Sequence, residues 1–157
     1  MNVEKIQKID PEDFKNITIF TDGGSRGNPG PSAGACVVKD SAGKVRLMCG
    51  KYLGKTTNNI AEYQGVVLAF EEILKLPGIK FSDSNLKFNL DSMLVVNQLN
   101  GKFKVKDENI RQFVVIVREF EGNFSSVRYE YIPREKNTLA DNVVNKTLDN
   151  HEKDSRS

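Results

Sequence analysis

A chain of 157 residues fits one domain and is long enough to bury a sizeable core. With 38% hydrophobic and 28% charged residues its composition is ordinary for a globular protein, and no apolar run nears the ~18 residues needed to cross a membrane. The net charge of +2 is too mild to announce a nucleic-acid partner by itself.

The opening MNVEKIQKIDPEDF has no apolar segment of the kind that directs secretion, so a cytoplasmic location is expected. Residues 1–16 read as a polar, loosely ordered extension. Residues 17–22 alternate as a strand, followed by a Gly/Pro-rich turn over 23–31. Residues 33–39 and 44–53 read as a hairpin around Asp40-Ser41-Ala42-Gly43. Simple pairing around that turn sets Cys36 opposite position 48, which puts Cys36 and Cys49 out of register, and no disulfide is expected. Helical periodicity runs over 58–76 and stops at Pro77-Gly78. Leu86, Phe88 and Leu90 alternate with Lys87, Asn89 and Asp91 in a fourth strand. Residues 92–100 read as a short helix and 107–120 as a longer one closed by Gly122. Val127, Tyr129 and Tyr131 alternate in a fifth strand. A last helix covers 138–148 behind Asn137 as its N-cap. The folded domain thus spans 17–149, and 150–157 form a charged tail. A strand hairpin first and helical connections later imply an α/β fold, with helices packed on a mixed sheet.

Four carboxylates break the patterns around them. Glu62 shares a narrow helical stripe with Val66, Ala69 and Ile73, where an unpaired carboxylate costs several kcal/mol in desolvation. The plainer alternative is a glutamate at the stripe's edge that reaches water. Asp141 shares a stripe with Val144 and Leu148; its alternative is a first-turn acid favoured by the helix dipole. Asp22 and Asp91 both end strands, where α/β sheets place their sites, although either could shape a turn or cap a helix. Read as one cluster, the four offer only oxygen, which selects hard cations such as Mg²⁺ or Mn²⁺. The sole histidine, His151, lies in the tail, so zinc or histidine-based nucleophilic chemistry lacks its parts.

At this point the motifs resemble those of a known family. Thr21-Asp22-Gly23-Gly24-Ser25-Arg26-Gly27-Asn28-Pro29-Gly30-Pro31 resembles the opening motif of type 1 ribonucleases H. Thr57-Asn58-Asn59-Ile60-Ala61-Glu62-Tyr63 resembles the second, Leu90-Asp91-Ser92 the third, and residues 137–141 the fourth. The resemblance implies the ribonuclease H-like fold, a five-stranded mixed sheet flanked by helices. It implies that Asp22, Glu62, Asp91 and Asp141 hold two Mg²⁺ ions, with Mn²⁺ as an alternative. The implied reaction is hydrolysis of the RNA strand of an RNA–DNA hybrid, leaving 5′-phosphate and 3′-hydroxyl ends, by an enzyme acting as a monomer. By the same resemblance Ser25, Asn28, Asn58 and Asn59 line the hybrid's minor groove and Thr57 holds a DNA phosphate. Gly23, Gly24 and Gly27 would let the chain approach the duplex closely.

Lys102, Lys104 and Lys106 alternate with Phe103 and Val105; extended, they would align three ammonium groups along phosphates, or simply form a solvated face. The sequence also departs from the family. The loop histidine of larger members is missing, and Arg134 is the candidate for phosphate handling or product release. Met93 and Ile60 stand where many members have a groove-contacting glutamine and some a phosphate-binding arginine. Residues 100–107 are too short for the basic protrusion of larger enzymes. Two alternatives remain: a retroelement ribonuclease H domain, and a catalytically silent hybrid-binding module.

Overall fold

The computed structural model describes residues 9–156. Five strands form one sheet in the order β3-β2-β1-β4-β5. They are β1 (Asn16–Ser25), β2 (Gly30–Lys39), β3 (Val45–Thr56), β4 (Asn85–Leu90) and β5 (Ser126–Tyr131). The first three are antiparallel neighbours, and β4 runs parallel to both β1 and β5. Four helices follow or separate them: α1 (Asn58–Leu74), α2 (Met93–Leu99), α3 (Glu108–Glu121) and α4 (Thr138–Arg156). Helix α1 packs on β1 and β2 with α3 against it, and α4 packs on β1, β2 and β3. This is the expected ribonuclease H-like architecture.

The helices start where short polar side chains can take up free N–H groups. Thr57 accepts from Ile60 N–H, Ser92 from Val95 N–H, and Asp107 from Asn109 and Ile110 N–H. Because Ser92 caps α2, Asp91 is spared that duty. The main core joins Ile17 and Ile19 of β1, Leu86, Phe88 and Leu90 of β4, and Val66, Ala69, Phe70 and Ile73 of α1. A smaller one lies under α4, around Ala33, Ala35, Val144 and Leu148.

Several expectations change. The Gly/Pro-rich turn is much shorter than 23–31: β1 continues to Ser25, pairing Gly23 with Gly34 and Ser25 with Ser32. The cysteine register also fails, because a bulge between Val38 and Lys39 skips one residue of β3 and sets Cys36 directly opposite Cys49. Both thiols are free. The skipped residue, Arg46, places its guanidinium 2.9 Å from Asp40. In β5 only Tyr129 is buried, whereas Val127 is half-buried and Tyr131 exposed, as befits a sheet edge.

The described residues near both ends, 9–16 and 150–156, are more ordered than their polarity suggested. Pro11–Phe14 form a 3-10 turn with Phe14 in the core, and the Phe14 carbonyl accepts from Ser84 Oγ at 2.7 Å. The expectation for residues 1–8 lies outside the described residues. Helix α4 runs through Arg156, well into the segment expected to be a tail, and His151 stacks on Tyr52 at 3.5 Å between centroids. No helix among the described residues is long and apolar enough to cross a membrane.

Candidate active site

Sheet register and one close helix contact build the acidic site. Strands β1 and β4 pair in parallel up to Phe20 with Asn89. Continuing that register by two residues sets Asp91, just past the end of β4, beside Asp22, where β1 runs on for three more residues to Ser25. Glu62 comes from α1, which lies against β1 where Gly23 has no side chain. A Cβ there would overlap the Ala61 carbonyl and the Glu62 N–H. Gly65 serves the same contact from the helix side, since a Cβ on it would lie 2.5 Å from the Asp22 carbonyl oxygen. The contact with α1 by itself thus requires glycine at position 23.

One carboxylate oxygen each from Asp22, Glu62 and Asp91 lie within 4.8 Å of one another. Asp141, in the first turn of α4, lines the same cavity of about 590 Å³, as do Asn58, Asn59, Ser25 and Arg134. The helical stripe correctly marked Glu62, which is only 8% exposed and whose Oε2 is buried without a partner among the described residues. Asp22 is 6% exposed and accepts from the Gly23 N–H at 2.9 Å.

Two unit charges at such a separation repel by about 3 kcal/mol at an effective dielectric of ~20. Three such pairs would consume much of a domain's ~5–15 kcal/mol of stability, so the site calls for protons or a cation. Burial, then Asp91, pushes the Asp22 carboxyl from its ordinary 3.8 up to about 7. Burial and then Asp22 hold Glu62 well above the usual carboxylate range, with the Arg134 guanidinium opposing. An all-oxygen donor set with an orphaned, buried carboxylate oxygen fits a hard divalent cation.

The sign of the pH effect follows. Between pH 3.8 and about 7 the folded protein keeps a proton on Asp22 that the unfolded chain has released. Without metal, this site's contribution to stability is complete at the acid end of that window and is lost as pH rises through it. Thermal unfolding in chelator should therefore fall from pH 5 to pH 8 more steeply for the wild type than for Glu62→Gln. Added Mg²⁺ should raise the wild-type midpoint at pH 8 more than that of the variant. Parallel pH slopes for the two proteins would contradict this electrostatic account.

Sequence reasoning missed what Asn137 does. It precedes α4 as expected of an N-cap, its carbonyl accepting from Asp141 N–H at 3.1 Å, but its side-chain amide donates to Asp91 Oδ2 and to the Thr21 carbonyl, both at 2.9 Å. It is 1% exposed and ties the Asp91 carboxylate to β1. No local pattern reveals this, because its partners are 46 and 116 residues away.

The expected groove residues form one interlocked patch. Ser25 N–H donates to Asn58 Oδ1 at 2.9 Å, and Asn58 N–H donates to Asn28 Oδ1 at 3.0 Å. Ser25 Oγ bonds backbone carbonyls of Gly27 and Thr56. Asn28, Thr57, Asn58, Asn59 and Ile60 line a second cavity beside the first. Ile60 packs against the main core, which explains an apolar residue there. Met93 is exposed. The three lysines are exposed but are not one extended row: Lys102 belongs to a turn in which its N–H and that of Phe103 both bond the Asn97 carbonyl. They line neither cavity.

The chain is similar to known proteins in sequence and fold. A family model described as reverse transcriptase-like matches residues 20–147. Ribonuclease HI of Halobacterium salinarum is 32% identical over 141 residues, spanning 90% of this chain and 68% of that protein. The bifunctional protein Rv2228c of Mycobacterium tuberculosis is 35% identical over 134 residues, covering 85% of this chain. The chain spans only 35% of the length of that mycobacterial relative. The solved structure of LC11-RNase H1, isolated from compost, superposes with a TM-score of 0.82 at 35% identity, over 87% of this chain and 98% of that one. A second structure of LC11-RNase H1, in complex with an RNA/DNA hybrid, gives 0.81 at 34% identity, over 86% and 98%. The chain belongs to the type 1 ribonuclease H family.

Proposed function

We propose that this protein is a metal-dependent endoribonuclease that hydrolyses the RNA strand of RNA–DNA hybrids, acting as a cytoplasmic monomer. The observation that carries the reading is the convergence of Asp22, Glu62 and Asp91 in one cavity, with Glu62 Oε2 buried and unpartnered among the described residues. Divalent ions, two Mg²⁺ or Mn²⁺, held by these three and Asp141, would activate a water and stabilise the leaving oxygen. The hybrid bound to LC11-RNase H1 supports the substrate class.

The remaining roles follow from which hydrogen-bonding atoms are already used. Asn28 and Asn58 spend their carbonyl oxygens on backbone N–H groups, which leaves their amide NH₂ groups as donors. Donors suit the acceptors that bases present in a minor groove. Ser25 gives its one hydroxyl proton to a backbone carbonyl and keeps lone pairs for a 2′-hydroxyl, the group that distinguishes RNA. Asn59 lies exposed between both cavities. Thr57 caps α1 and stands at a helix N-terminus, where a DNA phosphate is favoured. Arg134, exposed at the cavity's edge, would handle the scissile or departing phosphate.

Water attack on phosphorus that breaks the P–O3′ bond leaves 5′-phosphate and 3′-hydroxyl fragments, whereas attack by the neighbouring 2′-hydroxyl breaks P–O5′ and leaves a 2′,3′-cyclic phosphate and a 5′-hydroxyl. End-group analysis of cleaved hybrid in Mg²⁺ should find only the former. Cyclic phosphate ends would sink the mechanism.

Phosphate and groove contacts should also separate in experiment. Changing Lys102, Lys104 and Lys106 together to alanine should weaken hybrid binding and lower the salt slope by about 3, with saturated cleavage unchanged. Asn59→Ala should keep the slope but reduce cleavage and the preference for hybrid over double-stranded DNA. A lysine variant with the wild-type slope would show those lysines to be a solvated face.

A further inference from the structure

The end of β1 and the turn after it carry Ser25 and Asn28, and this segment is fastened on two sides. Toward α1 it is held by the bonds among Ser25, Asn28 and Asn58. Toward α4 it is held by Arg26. Its guanidinium lies 2.7 Å from Asp149 Oδ1 and 2.7 Å from Glu152 Oε1, and donates to the Asn145 carbonyl at 3.3 Å. Residues 145, 149 and 152 fall on one helical face, and that face begins with Asp141. Asn145 in turn donates to Asp141 Oδ2 at 3.4 Å. The end of α4 has its own footing, since His151 stacks on Tyr52 of β3.

We propose that Arg26 is a positioning residue for hybrid recognition. It locks the groove-reading turn to the helical face that carries Asp141, with Asp149 and Glu152 as its anchors. This rests on the hybrid-cleavage reading above. The segment past residue 148 is then part of the substrate-binding apparatus, not a passive tail.

The alternative role for such an arginine is direct contact with a phosphate. Two carboxylates and a carbonyl already occupy its guanidinium, so a phosphate would have to displace anions at 2.7 Å. Asp149 and Glu152 keep 67% and 41% of their side-chain surface in water, so these pairs contribute little to global stability. Their leverage is local. A recognition site works only when held within roughly 0.5 Å of its productive geometry.

The test compares Arg26→Ala, Arg26→Lys, the double variant Asp149→Asn/Glu152→Gln, and Arg26→Ala combined with that double variant. KM and kcat are measured on an RNA–DNA hybrid, with a DNA duplex of the same sequence as competing inhibitor. Arg26→Ala should raise KM ~10-fold, leaving kcat, the duplex inhibition constant and the melting midpoint nearly unchanged. The double acid variant should raise KM by a similar factor, and the combined variant no further, because all remove one linkage. Arg26→Lys should recover part of the loss.

A guanidinium that contacts phosphate directly would be freed by neutralising the two acids, and KM would then fall. That result overturns the proposal, as does a duplex inhibition constant that moves in parallel with KM. Hydrogen exchange in the substrate-free protein gives a readout independent of activity. The Ser25 and Asn58 amides should exchange faster in Arg26→Ala, and unchanged exchange there overturns the anchor. A wild-type protein that cuts no hybrid would overturn the functional reading itself; faster exchange would still report the anchor separately.

Discussion

Replacing Asp22 with asparagine is expected to lower hybrid cleavage in Mg²⁺ by roughly 10³-fold or more, while the folded protein becomes more stable in chelator. The first effect follows from charge. Asp22 is buried, shares its site with Glu62 and Asp91, and supplies a ligand charge that an amide cannot replace. Several kcal/mol of transition-state stabilisation pass through such a metal site, and about 4 kcal/mol corresponds to ~10³ in rate. The second effect has the same origin with the opposite sign. Without metal, the carboxylates of Asp22, Glu62 and Asp91 repel, and burial adds a desolvation cost that already raises Asp22 to about 7. An isosteric neutral side chain removes both penalties. Single-turnover cleavage and thermal unfolding with and without Mg²⁺ measure the pair. Near-normal turnover by a folded Asp22→Asn protein would end the metal assignment.

The second large effect is expected at a residue with no side chain. Gly23→Ala places a Cβ on the backbone of Ala61 and Glu62, and a Cβ has no rotamer through which to escape. Helix α1 must then move off β1, with a cost at or above the ~3 kcal/mol upper range for overpacked cores. Glu62 moves with the helix, and misplacing a reacting group by about 1 Å can cost ~10²-fold in rate. Gly24→Ala is the control, because a Cβ there would meet only the Val144 side chain, at an ordinary 3.5 Å. Denaturant titration of the two variants should therefore separate them clearly. Equal stabilities would mean that the close contact of α1 with β1 does not set the site.

This contrast shows what could be read from the chain and what could not. Glu62 was legible because a carboxylate on the stripe of Val66, Ala69 and Ile73 breaks a local pattern. Asp91 was legible as a strand-end acid, whereas Asp22 looked like one only because the glycines after it hide three further residues of β1; their side-by-side placement depends on a parallel register between strands far apart in sequence. Gly23 looked like a loop residue for the same reason. Its partner is the backbone of α1, which periodicity within one segment does not encode. The bulge at Arg46 likewise shifted Cys49 opposite Cys36 through a pairing that turn length alone misjudges. The polar composition of residues 150–157 suggested a tail because the partners of Glu152 and His151, Arg26 and Tyr52, lie on other elements. Asn137 shows the same limit: its sequence neighbours mark a helix start, while its side chain holds Asp91.

The central claim is that this acidic site cuts RNA only when paired with DNA, and only with a divalent cation. End-labelled substrates of one sequence, presented as RNA–DNA hybrid, double-stranded RNA, double-stranded DNA and single-stranded RNA, test it in Mg²⁺ and in chelator. The account predicts cleavage within the RNA strand of the hybrid in Mg²⁺, no cleavage in chelator, and intact DNA throughout. Undiminished cleavage in chelator, or a hybrid left whole in Mg²⁺ by the folded protein, would contradict it.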